Sequence, residues 1–138
     1  MVGIILASHG PLSRSIIQSA ELICGKNIPQ ITALSLTGEM SIEEFRNELI
    51  LAINKVDSGD GVLVLVDIPG GTPSNIALQQ TINNKNLEVV SGFNLSMLLE
   101  IVMNRENKNL VELAQLACET GQKSIEILSK KLKNMAAM

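Results

Sequence analysis

The sequence predicts one α/β domain with a doubly wound, mainly parallel sheet of four strands, in the order 2-1-3-4, flanked by helices. Short apolar runs of strand length alternate with segments whose apolar residues recur every three or four positions. The strongest run, Val62 to Val66, is apolar throughout, which is typical of a strand covered on both faces. Strands that alternate with helices form parallel sheets with right-handed crossovers, and 138 residues fit one domain.

The strands and the first helix come from these apolar patterns. Pro11 fits the first turn of a helix that ends at Gly25. The four predicted strands are Val2 to Ala7, Ile31 to Leu36, Val62 to Val66 and Leu87 to Ser91. The apolar face of the first helix is predicted to consist of Leu12, Ile16, Ala20 and Ile23.

The later helices are predicted to begin at capping residues. Met40 and Phe45 occupy the positions of a hydrophobic staple around the start of the second helix. The segment Ser124 to Lys133 fits either a helix end or a last strand, and residues 134–138 are predicted to fray. The four predicted capping residues are Ser41, Thr72, Asn94 and Asn109.

The composition excludes several classes of protein. Aromatic residues make up 1% of the chain and the net charge is -3, so base-stacking platforms and a basic nucleic-acid surface are both missing. No apolar run approaches the roughly 20 residues of a membrane span, and the opening run lacks the basic start of a signal peptide. Cys24 and Cys118 lie in apolar helical contexts, which predicts two buried free thiols and a cytoplasmic protein.

The candidate site lies in the loops after strands one and three. In a sheet of order 2-1-3-4, ligands bind beyond the carboxyl ends of the strands where the order reverses. His9, the only histidine of the chain, ends the first strand, and histidine is both a nucleophile and a proton carrier near neutral pH. Asp67 follows the third strand, where a carboxylate would fix the tautomer of the ring and stabilise its cationic form.

The loop after Asp67 predicts an anion site. Gly70 and Gly71 allow close backbone approach, and free amides at a helix start favour an anion. The Thr72 hydroxyl and the backbone at Gly10 supply further donors. The pattern is not a P-loop, because no Gly-Lys-Ser/Thr follows, and no metal or cofactor is expected.

Three motifs in order resemble the mannose-type enzyme IIA family of the bacterial phosphoenolpyruvate-dependent sugar phosphotransferase system. They are Ser8 to Gly10, Val66 to Asn75 and Ser91 to Glu100. The resemblance implies a phosphotransferase component whose His9 takes a phosphoryl group from the phosphocarrier HPr and passes it to a IIB component, with Asp67 orienting the ring. It also implies a homodimer that exchanges a C-terminal strand, which would be Ser124 to Lys133 here.

The resemblance further implies that the IIB component is a separate polypeptide and that the membrane is reached only through the IIC/IID permease. Some relatives carry a hydroxyl residue and then a bulky aromatic after the aspartate, whereas this chain has Ile68 and Pro69. The phosphoryl group is therefore expected to rely on Thr72 and backbone amides.

The alternative reading is a receiver-like signalling module phosphorylated on Asp67. Receivers need acidic residues after strand one to hold magnesium, and this chain has Ser8 and His9 there. Phosphatases of the phosphoglycerate-mutase type need a second histidine, and tetrapyrrole chelatases need further metal ligands. Because this chain has one histidine, both enzyme classes are disfavoured. A pure interaction module is the remaining alternative, if His9 has no chemical role.

Overall fold

The computed structural model describes residues 1–137 and contains the predicted parallel sheet. The strand order is β2-β1-β3-β4, and every neighbouring pair is parallel. The strands are β1 (Gly3–His9), β2 (Ile31–Leu36), β3 (Val62–Val66) and β4 (Leu87–Ser91). The prediction of a doubly wound α/β sheet in the order 2-1-3-4 is thus confirmed.

Helices cover both faces of the sheet. They are α1 (Leu12–Cys24), α2 (Ile42–Val56), α3 (Thr72–Thr81), α4 (Leu95–Asn104), α5 (Leu110–Lys123) and α6 (Leu128–Ala136), with a 3₁₀ turn at Arg105–Asn107. None of the helices within residues 1–137 combines the length and the apolar character that crossing a bilayer requires.

The alternation of side chains along the strands builds two hydrophobic cores. On one face, Ile4 and Leu6 of β1 pack with Leu63 and Leu65 of β3 under α1, α4 and α5. On the other face, Ile5 and neighbouring apolar side chains of β3 pack under α2 and α3. Both faces of the central strands are buried, which is why their sequence is continuously apolar instead of alternating.

Three of the four predicted caps are confirmed. Ser41, Asn94 and Asn109 each accept a hydrogen bond from a backbone N–H in the first turn of the following helix. The assignment of Thr72 as a cap is wrong, because Gly71 occupies the N-cap position and Thr72 is the first helical residue. Pro11 likewise precedes α1 as its N-cap and makes no side-chain cap.

The predicted apolar face of α1 is confirmed at Ala20 and in part at Ile16, which packs against the core, but is wrong at its other two positions. Ser13, Ile17 and Ala20 are buried, whereas Leu12 and Ile23 are exposed. Apolar residues occur on both sides of this helix, so spacing alone does not select the buried face. The Ser13 hydroxyl donates to the carbonyl of Leu34 at 2.9 Å, and this buried bond helps to turn the polar residue inward.

In the segment Ser124 to Lys133, the part from Leu128 onward is helical and residues 125–127 have no regular structure, so the alternative of a last strand is wrong for the described chain. Leu128, Leu132 and Met135 recur at helical spacing and are all exposed. Residues 134–136, predicted to fray, complete this helix, and Met138 lies outside the described residues.

The prediction of two buried cysteines is also wrong. Both thiols are free, as expected, but Cys118 is exposed and Cys24 is only half-buried. Cys118 lies on α5 next to the buried Ala117. One step along a helix turns a side chain by about 100°, so an apolar neighbour does not imply burial.

Candidate functional site

The candidate site lies where β1 and β3 end side by side at the carboxyl edge of the sheet. Ala7 is in register with Val66, so the residues that follow these two strands emerge next to each other. The chain then turns into α1 on one face and α3 on the other. A crevice at the point where the strand order reverses follows from this divergence, and both predicted loops meet there.

His9 and Asp67 form a doubly hydrogen-bonded pair at this edge. The backbone N–H of His9 donates to Oδ2 of Asp67 at 2.9 Å, and ring nitrogen Nδ1 of His9 lies 2.8 Å from the same oxygen. An ionised carboxylate can only accept, so the ring proton belongs on Nδ1. Nε2 is then left with a free lone pair. The His9 side chain is 47% exposed, whereas that of Asp67 is only 9% exposed.

The Asp67 carboxylate is stabilised in its ionised form. Burial by itself would raise the pKa of Asp67, but hydrogen bonds from the His9 backbone, the His9 ring and the Ile68 backbone outweigh it and lower the pKa. The Ile68 N–H donates to the second carboxylate oxygen, Oδ1, at 2.9 Å. With both oxygens engaged and the side chain buried, this geometry disfavours Asp67 as a phosphoryl acceptor.

Gly71 fixes how closely the loop after β3 approaches the His9 ring. A Cβ added at Gly71 would lie 2.8 Å from Cε1 of His9 and 3.4 Å from Nε2. The absence of a side chain therefore lets the ring edge lie directly against the start of α3. Gly70 precedes it with a φ of 80°, a left-handed conformation that favours glycine.

The N-terminus of α3 thus faces the exposed ring nitrogen of His9. Pro73 lies in the first turn and has no N–H, and the Asn75 N–H already donates to the Gly71 carbonyl. The amides of Thr72 and Ser74 make no hydrogen bond within residues 1–137, and neither does the Thr72 hydroxyl. Free amides at the positive end of a helix favour an anion, so the geometry suits a negatively charged group on Nε2.

The start of α1 is less open than the sequence predicted. The Ser8 hydroxyl accepts the Ser13 N–H at 2.9 Å, which occupies one of the amides of this helix end. Gly10 has a φ of 61° and forms the turn between β1 and α1. Sequence reasoning did not single out Ser8. The available signal was a small hydroxyl residue that interrupts an apolar strand directly before His9.

The comparison with protein families covers most of the chain. The family model described as "PTS system fructose IIA component", named EIIA-man, matches residues 3–118. The chain belongs to this enzyme IIA family. Both loops described above lie inside the matched range.

Curated relatives carry the same family name with different sugars. The "PTS system mannose-specific EIIAB component" of Escherichia coli (strain K12) is 32% identical over 140 residues, which include 99% of this chain and 42% of the relative. The chain therefore spans about two fifths of the length of that relative. The "PTS system fructose-specific EIIA component" of Bacillus subtilis (strain 168) is 28% identical over 98% of this enzyme IIA chain and 92% of its own length.

Solved structures match the fold closely. The phosphotransferase system component EIIA from Streptococcus agalactiae superposes with a TM-score of 0.85 at 28% identity, covering 94% of this enzyme IIA chain and 99% of that one. The mannose/sorbose specific IIA subunit from Enterococcus faecalis gives a TM-score of 0.83 at 28% identity, covering 91% and 93% of the two chains.

The lowered pKa of Asp67 predicts how the stability of this enzyme IIA chain depends on pH. The ordinary value is 3.8. Because the folded value lies below it, the ionised carboxylate stabilises the fold fully above about pH 4, and this contribution is lost as the pH falls through the folded pKa. We expect the difference in free energy of unfolding between wild type and Asp67→Asn to shrink between pH 4 and pH 2, measured by urea denaturation. A difference that stays constant from pH 7 to pH 2 would contradict the assignment.

The contact between Gly71 and His9 predicts the effect of one added methyl group. The backbone of Gly71 has a φ of -80°, so Gly71→Ala strains only the His9 contact. We expect a folded protein in which the ring is displaced and its Nδ1 bond to Asp67 weakened. Long-range ¹H–¹⁵N NMR spectra show which ring nitrogen of His9 carries the proton. The signals need no assignment, because the chain has one histidine. Gly38→Ala is the control, because nothing lies within 4 Å of its added Cβ. An unchanged His9 tautomer in Gly71→Ala would refute the prediction.

Proposed function

We propose that this enzyme IIA chain is a phosphoryl carrier of a sugar phosphotransferase system and that Nε2 of His9 is the atom that carries the phosphoryl group. One observation supports this above the others. Asp67 holds Nδ1, and the free Nε2 faces the open amides at the start of α3. A nucleophile whose second nitrogen is anchored and whose lone pair faces an anion site is arranged for repeated phosphorylation.

In the proposed step, the lone pair of Nε2 attacks the phosphorus of a phosphohistidine on the donor protein. The bond between phosphorus and the donor nitrogen breaks, and its electron pair stays on the donor ring. The His9 ring becomes a cation with a proton on Nδ1, and Asp67 stabilises that charge. The amides of Gly71 and Thr72, the Thr72 hydroxyl and the backbone at Gly70 hold the phosphoryl oxygens. Gly10 is not among these donors, because its N–H already donates to the Leu36 carbonyl. Transfer to the acceptor is the reverse step with a second partner.

The proposed partners are HPr as donor and a IIB component as acceptor, both using the same face in turn. Support comes from the exposed apolar side chains beside His9. Ile68 is 53% exposed and Leu12 is 50% exposed. Apolar surface that is only partly covered is typical of a site for transient protein contacts. Both free thiols, Cys24 and Cys118, fit a reducing compartment, and we place the relay in the cytoplasm.

We also propose that the chain forms a homodimer through its C-terminal segment. The supporting observation is that the amphipathic helix α6 is exposed on all sides in the single chain: Leu128, Leu132 and Met135 face solvent, as does the N-cap residue Ile127. An isolated helix of nine residues is marginal in water. A second copy that buries this apolar stripe would stabilise it.

The phosphoryl relay predicts a specific label. Incubation with phosphoenolpyruvate, enzyme I and HPr should place one acid-labile, base-stable phosphoryl group on the chain, detected by intact-mass spectrometry and by phosphorus NMR. His9→Ala should abolish it. Asp67→Asn should keep the fold and slow transfer by about tenfold or more, because the tautomer is no longer fixed. Label retained in His9→Ala, or magnesium-dependent labelling of Asp67 by acetyl phosphate, would overturn the proposal.

The proposed dimer predicts the effect of charges on α6. Leu128→Glu together with Leu132→Glu places two carboxylates on the apolar stripe and should shift sedimentation velocity from dimer to monomer. Lys133→Glu is the control, since it adds the same side chain about 140° around the helix from Leu128. A wild-type chain that sediments as a monomer at high micromolar concentration would contradict the proposal.

A further inference from the structure

Ser8 is the polar residue that the apolar strand β1 buries directly before His9. Its accessible surface is 0% of the free value, and it directly follows Ala7, a residue of the hydrophobic core. Burial of a hydroxyl is unfavourable unless its donor and acceptor positions are used. Both are used here, and both partners belong to the turn that carries His9 into α1.

The Ser8 hydroxyl donates to the carbonyl oxygen of Gly10 at 3.1 Å. It also accepts the backbone N–H of Ser13, in the first turn of α1, at 2.9 Å. The N-cap residue of this helix, Pro11, makes no side-chain cap. The buried Ser8 hydroxyl therefore replaces the missing cap and joins the left-handed Gly10 to the helix at the same time.

The turn that holds His9 is thereby restrained on three sides. The His9 N–H is held by Asp67, and the Gly10 N–H donates to the Leu36 carbonyl at 2.9 Å. The Gly10 carbonyl is held by Ser8. Removal of the last restraint leaves the partly buried Gly10 carbonyl and the Ser13 amide without their partner, and the left-handed Gly10 has less to fix its rotation.

We propose that Ser8 is a positioning residue for His9: through Gly10 and Ser13 it sets the direction in which Nε2 points toward the start of α3. This inference rests on the proposed function, since the orientation of Nε2 matters for phosphoryl transfer. Ser8 does not touch the reacting atoms. By occupying the Ser13 amide, it also leaves the α3 amides as the main anion site, so the two helix ends do not compete for the phosphoryl group.

The test compares two buried serines whose hydroxyl groups bond to different parts of the chain. Ser8→Ala removes the bonds to the His9 turn. Ser13→Ala removes an equally buried hydroxyl whose bond goes to Leu34 in the strand β2. We expect both variants to lose stability, measured by urea denaturation. Only Ser8→Ala should slow phosphoryl transfer from phospho-HPr, by about tenfold, since small displacements of a reacting atom cost that much or more.

A second readout does not depend on phosphoryl transfer. In long-range ¹H–¹⁵N spectra of the unphosphorylated chain, Ser8→Ala should shift the His9 ring away from the pure Nδ1–H tautomer, whereas Ser13→Ala should keep the wild-type pattern. If wild type takes no phosphoryl group but this tautomer difference is found, the proposed function fails and the positioning role stands.

Ser8→Cys is a second variant that keeps the proposal testable if Ser8→Ala does not fold. It has the same shape as serine with a somewhat larger atom, and it replaces the hydroxyl by a weak donor and acceptor, so it should show the same shift away from the Nδ1–H tautomer and the same loss of rate. Wild-type tautomer and wild-type rate in the folded Ser8 variants would overturn the proposal. Equal slowing in Ser8→Ala and Ser13→Ala would overturn it too, because the effect would then be general destabilisation.

Discussion

The site depends on a single oxygen atom. Oδ2 of Asp67 accepts both the backbone N–H and the ring Nδ1 of His9, so one atom fixes the position of the main chain at the end of β1 and the orientation of the imidazole. This is possible only because β1 and β3 are neighbours and end in register. The strand order of the sheet is therefore a direct requirement of the proposed chemistry, and the cost of burying the carboxylate is offset by three donors.

The two helices that start at this edge are used differently. The amides at the start of α3 are free for an anion, whereas the start of α1 is partly closed by Ser8. The residue after Asp67 is Ile68. Its backbone N–H donates to the Asp67 carboxylate, but its side chain has no hydrogen-bond donor. Binding of a phosphoryl group in the proposed relay therefore falls mainly on backbone amides and Thr72, which are held in place by the fold and need no reorganisation.

At the opposite end of the sheet, where the strands begin, polar side chains bond to the backbone. This end contrasts with the open site at the carboxyl ends of the strands. Arg105 is buried and donates to the carbonyls of Val2, Pro29 and Gln30. The Gln30 amide donates in turn to the Val56 carbonyl at 3.0 Å. Gln30 has a φ of 48°, an uncommon conformation for a residue other than glycine, which these bonds hold. The amino ends of the strands are thus fixed, while groups at the carboxyl ends stay available for chemistry.

The sequence by itself determined the parallel sheet and the placement of His9 and Asp67 at strand ends, and with the predicted order 2-1-3-4 these two residues were expected to meet. Strands buried on both faces have an unmistakable apolar composition, and their parallel order brings the ends of β1 and β3 together. The tertiary structure decided what local patterns leave open. Apolar residues on both sides of α1 did not reveal its buried face, on which Ile17 and Ala20 pack in the core and the Ser13 hydroxyl donates to the Leu34 carbonyl. The proposed role of Ser8 could not be predicted from the sequence for the same reason. Its hydrogen-bond partners come within reach only because the left-handed Gly10 turns the chain back over it.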